Sequence, residues 1–196
     1  MNALAPARLR PALLALATLL PLLAVLPGLV PIIAQQGDGL DCPDGTFTDT
    51  INTASSGNWA VPDCWNNANN TIQAIGAAGF YGSASLNAYA GGGGGGGAYA
   101  QVTNATLTPG GTVAYRVAIG ASSRVGNTTN QRNCATATGL IVCAAAGQDA
   151  STSTGGAGGT AAESVGDVKY SGGNGGNGSV GTGARGGGGG GAGGPS

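Results

Sequence analysis

The stretch that decides the fold of this chain is GGGGGGGAYAQVTNATLTPGGTVAYRVAIG, residues 91–120. Seven consecutive glycines run directly into two segments, 98–104 and 112–119, in which apolar and polar residues alternate as they do in β-strands. Between these segments Pro109 presets the φ of a type II turn, and Gly110 accepts the positive φ that this turn requires next. The pattern predicts a β-hairpin tied to a run of residues without side chains.

The glycine-rich remainder of the chain repeats with a period of three. In triplets read from Gly172, glycine holds the first place in seven of eight, and Ala184 is the exception. A polyproline II helix has three residues per turn, and glycine at a fixed place allows neighbouring helices to approach closely. The phase therefore predicts a bundle of glycine-rich polyproline II helices, while the single proline of this tail excludes collagen. A flexible spacer with an unstructured tail remains the alternative.

The composition restricts the kind of core that the chain can build. Of 196 residues, 41 are glycine, 8% are charged and 5% are aromatic. Glycine loses the most backbone entropy on folding and buries no side chain, so a conventional apolar core along the whole length is excluded. We therefore predict a mainly β fold with irregular structure, in which short antiparallel β-hairpins frame the glycine helices.

Changes in composition divide the chain into segments. A polar, turn-rich lead-in at 35–45 precedes a glycine-rich domain at 46–196. Within that domain we distinguish a β-framework at 46–120, an insert with little glycine at 121–154, and polyproline II segments at 155–196.

Residues 1–34 have the character of a targeting segment. Two arginines precede residues 11–34, which contain no charge and are long enough to span a bilayer as a helix. One interpretation is a signal peptide cleaved after Ala34, and the other is an uncleaved membrane anchor. Prolines weaken a continuous spanning helix, and they lie at Pro21, Pro27 and Pro31. Both interpretations export the remaining chain to an extracellular, periplasmic or cell-surface location.

The cysteines agree with export. The chain has four, all beyond residue 34, at Cys42, Cys64, Cys134 and Cys143. Metal sites built from thiols use closely spaced pairs, which these positions do not provide. Four cysteines permit three pairings, of which we favour the local one, Cys42–Cys64 and Cys134–Cys143. Each disulfide is expected to stabilise the fold by about 2–4 kcal/mol.

The titratable residues argue against catalysis and against nucleic-acid binding. The chain has no histidine, the usual base of serine and cysteine nucleophiles. We predict no enzyme activity, no catalytic, cofactor-binding or metal-ligating residues, and no cofactor. Beyond residue 34 the chain has five basic and eight acidic residues. This balance does not predict the basic surface that nucleic-acid binding requires.

The insert is the part of the sequence that is typical of a recognition loop. It combines charged and amide side chains with a disulfide, and such loops on rigid scaffolds carry binding functions. Its candidate ligand-contact residues are Arg124, Asn127 and Arg132.

Several motifs resemble a known family. These are the sequences GGGGGAYA, PGGTVAYRVAIG and GDVKYSGGNGG, within a likeness that runs from about residue 56 to the C-terminus. They resemble the glycine-rich domain of phage tail-fibre and tip adhesins and of bacterial surface proteins. That resemblance implies a bundle of polyproline II glycine helices on a small β-framework, with receptor-contacting loops at its tip. The export leader and the 121–154 insert depart from the family pattern, and no site residues are transferred.

Three non-catalytic functions are consistent with the sequence. The first is a secreted or cell-surface structural or adhesive protein, with a second copy of itself or a surface glycan or protein as partner. The second is a discrete glycan- or receptor-binding module that uses the 121–154 loop. The third is an ice-binding protein, which would need a flat, regular face of small residues. In all three, contact with a membrane is expected only through residues 11–34, and only if this segment is not cleaved.

Overall fold

The computed structural model describes most of the chain after the lead-in. The described residues are 47–84, 89–118, 120–128, 131–134 and 137–195. They belong to one compact unit, Gln36–Ser196. The predicted leader and its hydrophobic helix, the 35–45 lead-in and Cys42 lie outside the described residues. Within those ranges, no helix is long and apolar enough to cross a membrane.

The described part of the chain is mainly β, as predicted, and contains no helix. It has seven strands: β1 Ser55–Ala60, β2 Thr71–Ile75, β3 Tyr99–Thr103, β4 Thr112–Val117, β5 Ser123–Val125, β6 Val142–Ala144 and β7 Val168–Tyr170. Four of them form a sheet in the order β1-β4-β5-β6, and three form a second sheet in the order β2-β3-β7. All neighbouring strands are antiparallel.

The predicted hairpin of residues 98–104 and 112–119 is wrong, although its turn is correct. Gly110 has a φ of 69°, and the Gly111 N–H donates to the Thr108 carbonyl at 2.9 Å. However, β3 pairs with β2 and β7, whereas β4 pairs with β1 and β5 in the other sheet. The two strands therefore separate across the turn.

The link between β3 and β4 is held by an earlier turn of the chain. The Ala105 N–H donates to Asn70 Oδ1 at 2.8 Å, and the Ala105 carbonyl accepts from Asn70 Nδ2 at 3.0 Å. The same carbonyl accepts from Trp65 Nε1 at 3.2 Å. These bonds take the chain away from β3 before Pro109, so β4 pairs elsewhere.

The predicted Cys134–Cys143 disulfide is confirmed. Cys143 lies on β6, which pairs with β5, so that Arg124 is the register partner of Cys143. Cys64 is also disulfide-bonded, and its predicted partner lies outside the described residues. The Cys134–Cys143 disulfide closes a loop with a sequence separation of 9, and it is expected to raise the free energy of unfolding by about 2–3 kcal/mol.

The glycine run at 91–97, with Ala98, forms a central segment enclosed by other segments of the chain. Every carbonyl from Gly91 to Ala98 accepts a backbone N–H, and the donors repeat every third residue. The carbonyls of Gly91, Gly94 and Gly97 accept from Gly187, Gly190 and Gly193, those of Gly92, Gly95 and Ala98 from Gly82, Gly79 and Gly76, and those of Gly93 and Gly96 from Gly156 and Gly159.

The N–H groups of the central segment follow the same period. Those of Gly92, Gly95 and Ala98 donate to Thr152, Gln148 and Ala145, and those of Gly93 and Gly96 donate to Gly176 and Gly173. With the carbonyl bonds, these N···O distances are 2.7–3.0 Å. The central segment therefore satisfies buried backbone groups by pairing with five segments, namely 76–82, 145–152, 153–159, 172–179 and 185–193.

The period of three in the tail has a steric cause. A Cβ at Gly172, Gly175, Gly178, Gly187 or Gly190 would overlap a backbone carbonyl of a neighbouring segment. A Cβ at Gly188 or Gly191 would meet no described residue within 4 Å. In these five triplets the first place therefore faces a neighbouring backbone, which is the close approach that the sequence phase predicts. Gly181, also a first place, departs from this, because a Cβ there would meet no described residue within 4 Å.

Two small clusters of buried side chains form the hydrophobic core of the described residues. One contains Ala74, Ala100, Val142 and Ala144, and the other contains Ala98, Cys134, Cys143 and Ala145. Alanine and the disulfide take the place of large aliphatic residues, so the backbone bonds and the disulfide carry an unusual share of the stability.

Candidate recognition surface

Arg124, the first candidate ligand-contact residue, lies in the interior. It is 1% exposed, and its place on β5 directs its guanidinium back onto the insert. There it donates to the hydroxyl of Ser122, to the Gln131 carbonyl at 3.0 Å and to Asn127 Oδ1 at 3.4 Å. Burial, followed by the charge of Arg116, lowers the pKa of Arg124. Its immediate role in this arrangement is to hold the 122–131 part of the insert together.

Asn127, the second candidate, connects the two ends of the same loop. Its Oδ1 accepts from Arg124, and its Nδ2 donates to the Thr138 carbonyl at 2.9 Å. The side chain thereby joins the segment after β5 to the segment before β6. Contact between Asn127 and a ligand remains a prediction.

Arg132, the third candidate, lies at an open cavity. Its Nη1 donates to the Gly147 carbonyl at 2.6 Å, and its Nη2 forms an ion pair with Asp149 Oδ2 at 2.6 Å. The two side chains are 37% and 45% exposed. A cavity of about 320 Å³ opens beside them, lined by Arg132, Ala146, Gln148, Asp149 and Glu163.

Glu163 reaches this cavity from outside the insert. Its Oε1 accepts from Asn133 Nδ2 at 3.3 Å, and its Oε2 accepts from Thr160 Oγ1 at 2.9 Å. The cavity therefore combines a guanidinium, two carboxylates and the amide of Gln148. Glu163 lies far from Arg132 in the sequence, and no spacing pattern connects the two.

The backbone of Phe80 is bonded to the cavity residue Asp149. The Phe80 N–H donates to Asp149 Oδ1 at 2.8 Å, and Phe80 is 53% exposed while its neighbour Tyr81 is 82% exposed. This bond fixes the carboxylate of Asp149 from a second segment of the chain.

The Arg132–Asp149 pair predicts a dependence of stability on acid. The hydrogen bond from Arg132, with that from the Phe80 N–H, lowers the pKa of Asp149 below its ordinary 3.8 although burial opposes this. The stabilisation is therefore present above the unfolded-state pKa and is lost as pH falls through the lower folded-state pKa. Because both side chains are well exposed, we expect the pair to contribute about 0.2–1 kcal/mol to the free energy of unfolding.

Urea unfolding measures this dependence, from neutral pH down to the lowest pH at which the protein still folds. Asp149→Asn, which keeps an acceptor for Phe80, should reduce the loss of stability in acid, whereas the control Asp63→Asn should not. An acid dependence that is identical in the protein and in Asp149→Asn would show that the pair has no such effect.

Within the described ranges, no group of three His, Cys, Asp or Glu side chains is placed to hold a metal ion.

Comparison of the chain with protein-family models, curated proteins and solved structures finds no match. The function is therefore argued from the chain's own geometry.

Proposed function

We propose that this chain is a non-catalytic, exported structural or adhesive protein of the cell surface or its surroundings, built on a bundle of glycine-rich polyproline II helices. The observation that carries the proposal is the enclosure of residues 91–97 by five segments bonded to it at every third residue. A period of three and the negative φ of all seven glycines are the properties of polyproline II helices. A bundle of this kind is suited to a rigid, extended support.

Export is supported by the disulfides and by the leader. The Cys134–Cys143 bond is consistent with an oxidising compartment outside the cytoplasm. Residues 11–34 supply the uncharged segment that secretion or anchoring requires.

Self-association is supported by the outermost glycine run, residues 186–194, which we call the edge segment. Like the central segment it is almost entirely glycine, yet among the described residues its backbone bonds go only to the central segment and to 172–179. A Cβ at Gly188, Gly191 or Gly194 would meet no described residue within 4 Å, so none of those residues requires glycine there. A second copy that pairs its own edge segment with this one would give those glycines the close approach for which glycine is suited.

The solution mass of the exported, oxidised protein, measured by light scattering, tests this proposal. We expect a dimer or larger assembly that dissociates in the Gly188→Ala/Gly191→Ala variant without loss of folding. The exposed Thr182, outside the edge segment, provides the control Thr182→Ala, which should still associate. A wild-type protein that stays monomeric at the highest concentration reached would contradict self-association.

A discrete glycan- or receptor-binding module is the second candidate, favoured by the cavity beside Arg132 and Asp149. In that case glycan-array binding should be lost in Arg132→Gln and kept in Arg185→Gln, whose arginine lies outside the insert. Equal binding by the two variants would remove the cavity from consideration.

A further inference from the structure

Two arginines face each other in the four-stranded sheet. Arg116 on β4 and Arg124 on β5 are direct register partners. Side chains at directly opposed positions share a face of the sheet, with Cβ atoms about 5 Å apart, and like charges there destabilise the pairing. Ser56 and Cys143 continue the same row on the two sides. The row thus runs from the exposed Ser56 to the buried Cys143.

The charges of these arginines are not balanced by the described residues. Arg116 donates to the Thr128 carbonyl at 3.3 Å, and the acceptors of Arg124 are likewise a hydroxyl, an amide and a carbonyl. The ion pair found in the described ranges joins Arg132 to Asp149 instead. A buried guanidinium without a counter-charge is strongly unfavourable.

Each guanidinium also has an unused donor. The Nε atoms of Arg116 and Arg124 are both buried, and neither has a hydrogen-bond partner among the residues that the structure describes. Buried polar groups are almost always paired, so two unpaired donors on adjacent side chains of one sheet face require an explanation. A water molecule would accept these bonds but would leave both positive charges uncompensated.

We infer that Arg116 and Arg124 form a binding site for an oxyanion, a carboxylate, sulfate or phosphate group, which accepts from the two Nε–H groups. An oxyanion provides several acceptors and the missing negative charge, and guanidinium groups bind such groups through charge-assisted bonds. Arg116 is partly exposed while Arg124 is buried, so the anion enters from the Arg116 side of the row. This site does not depend on self-association through the edge segment.

NMR of the arginine Nε–H groups tests the site in the exported, oxidised protein. Inorganic sulfate replaces chloride at constant ionic strength, and inorganic phosphate and acetate are titrated in the same way. We expect saturable shifts of the Arg116 and Arg124 Nε–H signals and an increase in thermal stability. A sulfated disaccharide and its desulfated counterpart then distinguish an anionic glycan from a free inorganic anion as the source of the group.

Two variants show whether the response arises at this site. Arg116→Gln removes one donor at a partly exposed position and should weaken sulfate binding about tenfold or more, the loss expected for a charge-assisted bond. Arg185→Gln should bind as the unaltered protein does. Saturable binding that is unchanged in Arg116→Gln would overturn the site, as would the lack of a saturable shift with all three anions.

Arg124→Met provides a test that does not need Arg116. It removes the buried charge and keeps an apolar side chain of similar length, but it also removes the bonds to Ser122, Asn127 and Gln131. We therefore expect this variant to be less stable than the unaltered protein in chloride and to gain no stability when sulfate is added. Sulfate stabilisation that persists in Arg124→Met would contradict the proposed site.

Discussion

Replacement of Gly95 by alanine is expected to destabilise this protein by about 3 kcal/mol or more, enough to unfold a marginally stable domain. The new Cβ would overlap the backbone carbonyl of Ala157. Gly95 cannot move away, because its N–H donates to Gln148 and its carbonyl accepts from Gly79. A flexible side chain could rearrange around one methyl group, but a backbone bonded on both sides cannot.

The edge segment offers a matched pair of adjacent glycines for the same experiment. A Cβ at Gly190 would overlap the Gly173 carbonyl, whereas one at Gly191 would meet nothing within 4 Å. We expect Gly190→Ala to be clearly destabilising and Gly191→Ala to change stability by no more than about 0.5 kcal/mol. Urea unfolding in dilute solution, where association does not contribute, measures both. Equal effects at the two positions would show that the phase of three has no steric basis.

Removal of residues 172–196 is expected to abolish cooperative folding of the remaining chain. The central segment would lose the acceptors of the Gly93 and Gly96 N–H groups and the donors to the Gly91, Gly94 and Gly97 carbonyls. At about 1 kcal/mol for each of these five bonds, the loss is comparable with the total stability of a small domain. It also exposes the packed backbone of the central segment to water.

Amide hydrogen exchange of β3 and β4 measures this effect, because both strands lie outside the deleted part. Removal of residues 194–196 alone is the control, since it leaves the bond from Gly193 to Gly97 in place and should preserve protection. Persistent protection of β3 and β4 after removal of 172–196 would show that the glycine tail is only an appendage.

The predictions that were confirmed rest on local chemistry. A type II turn at Pro109–Gly110 and a disulfide between Cys134 and Cys143 depend on short stretches of chain. The glycine phase marked most of the tail positions that face another backbone, with Gly181 as an exception, because steric contact and backbone bonding recur with the repeat of the segment itself. Residue type and spacing were therefore sufficient for the mainly β class and for most of these positions.

The long-range pairings required the folded chain. Residues 98–104 and 112–119 have the pattern of a hairpin, yet the bonds of Ala105 to Asn70 and Trp65 direct them into different sheets. Strand pairing depends on competition among all the strands of the molecule, which no single stretch contains.

The positions of the polar side chains also depend partly on the local sequence and partly on the folded chain. Arg124 and Arg132 have similar surroundings in the sequence, but one is buried opposite Arg116 and the other borders an open cavity with Glu163. Alternation along a strand determines which residues share a face, and the sequence alone contains that information. Which face becomes buried, and which distant carboxylate reaches it, depends on how the sheets and glycine segments pack, because burial and charge pairing are properties of the assembled neighbours.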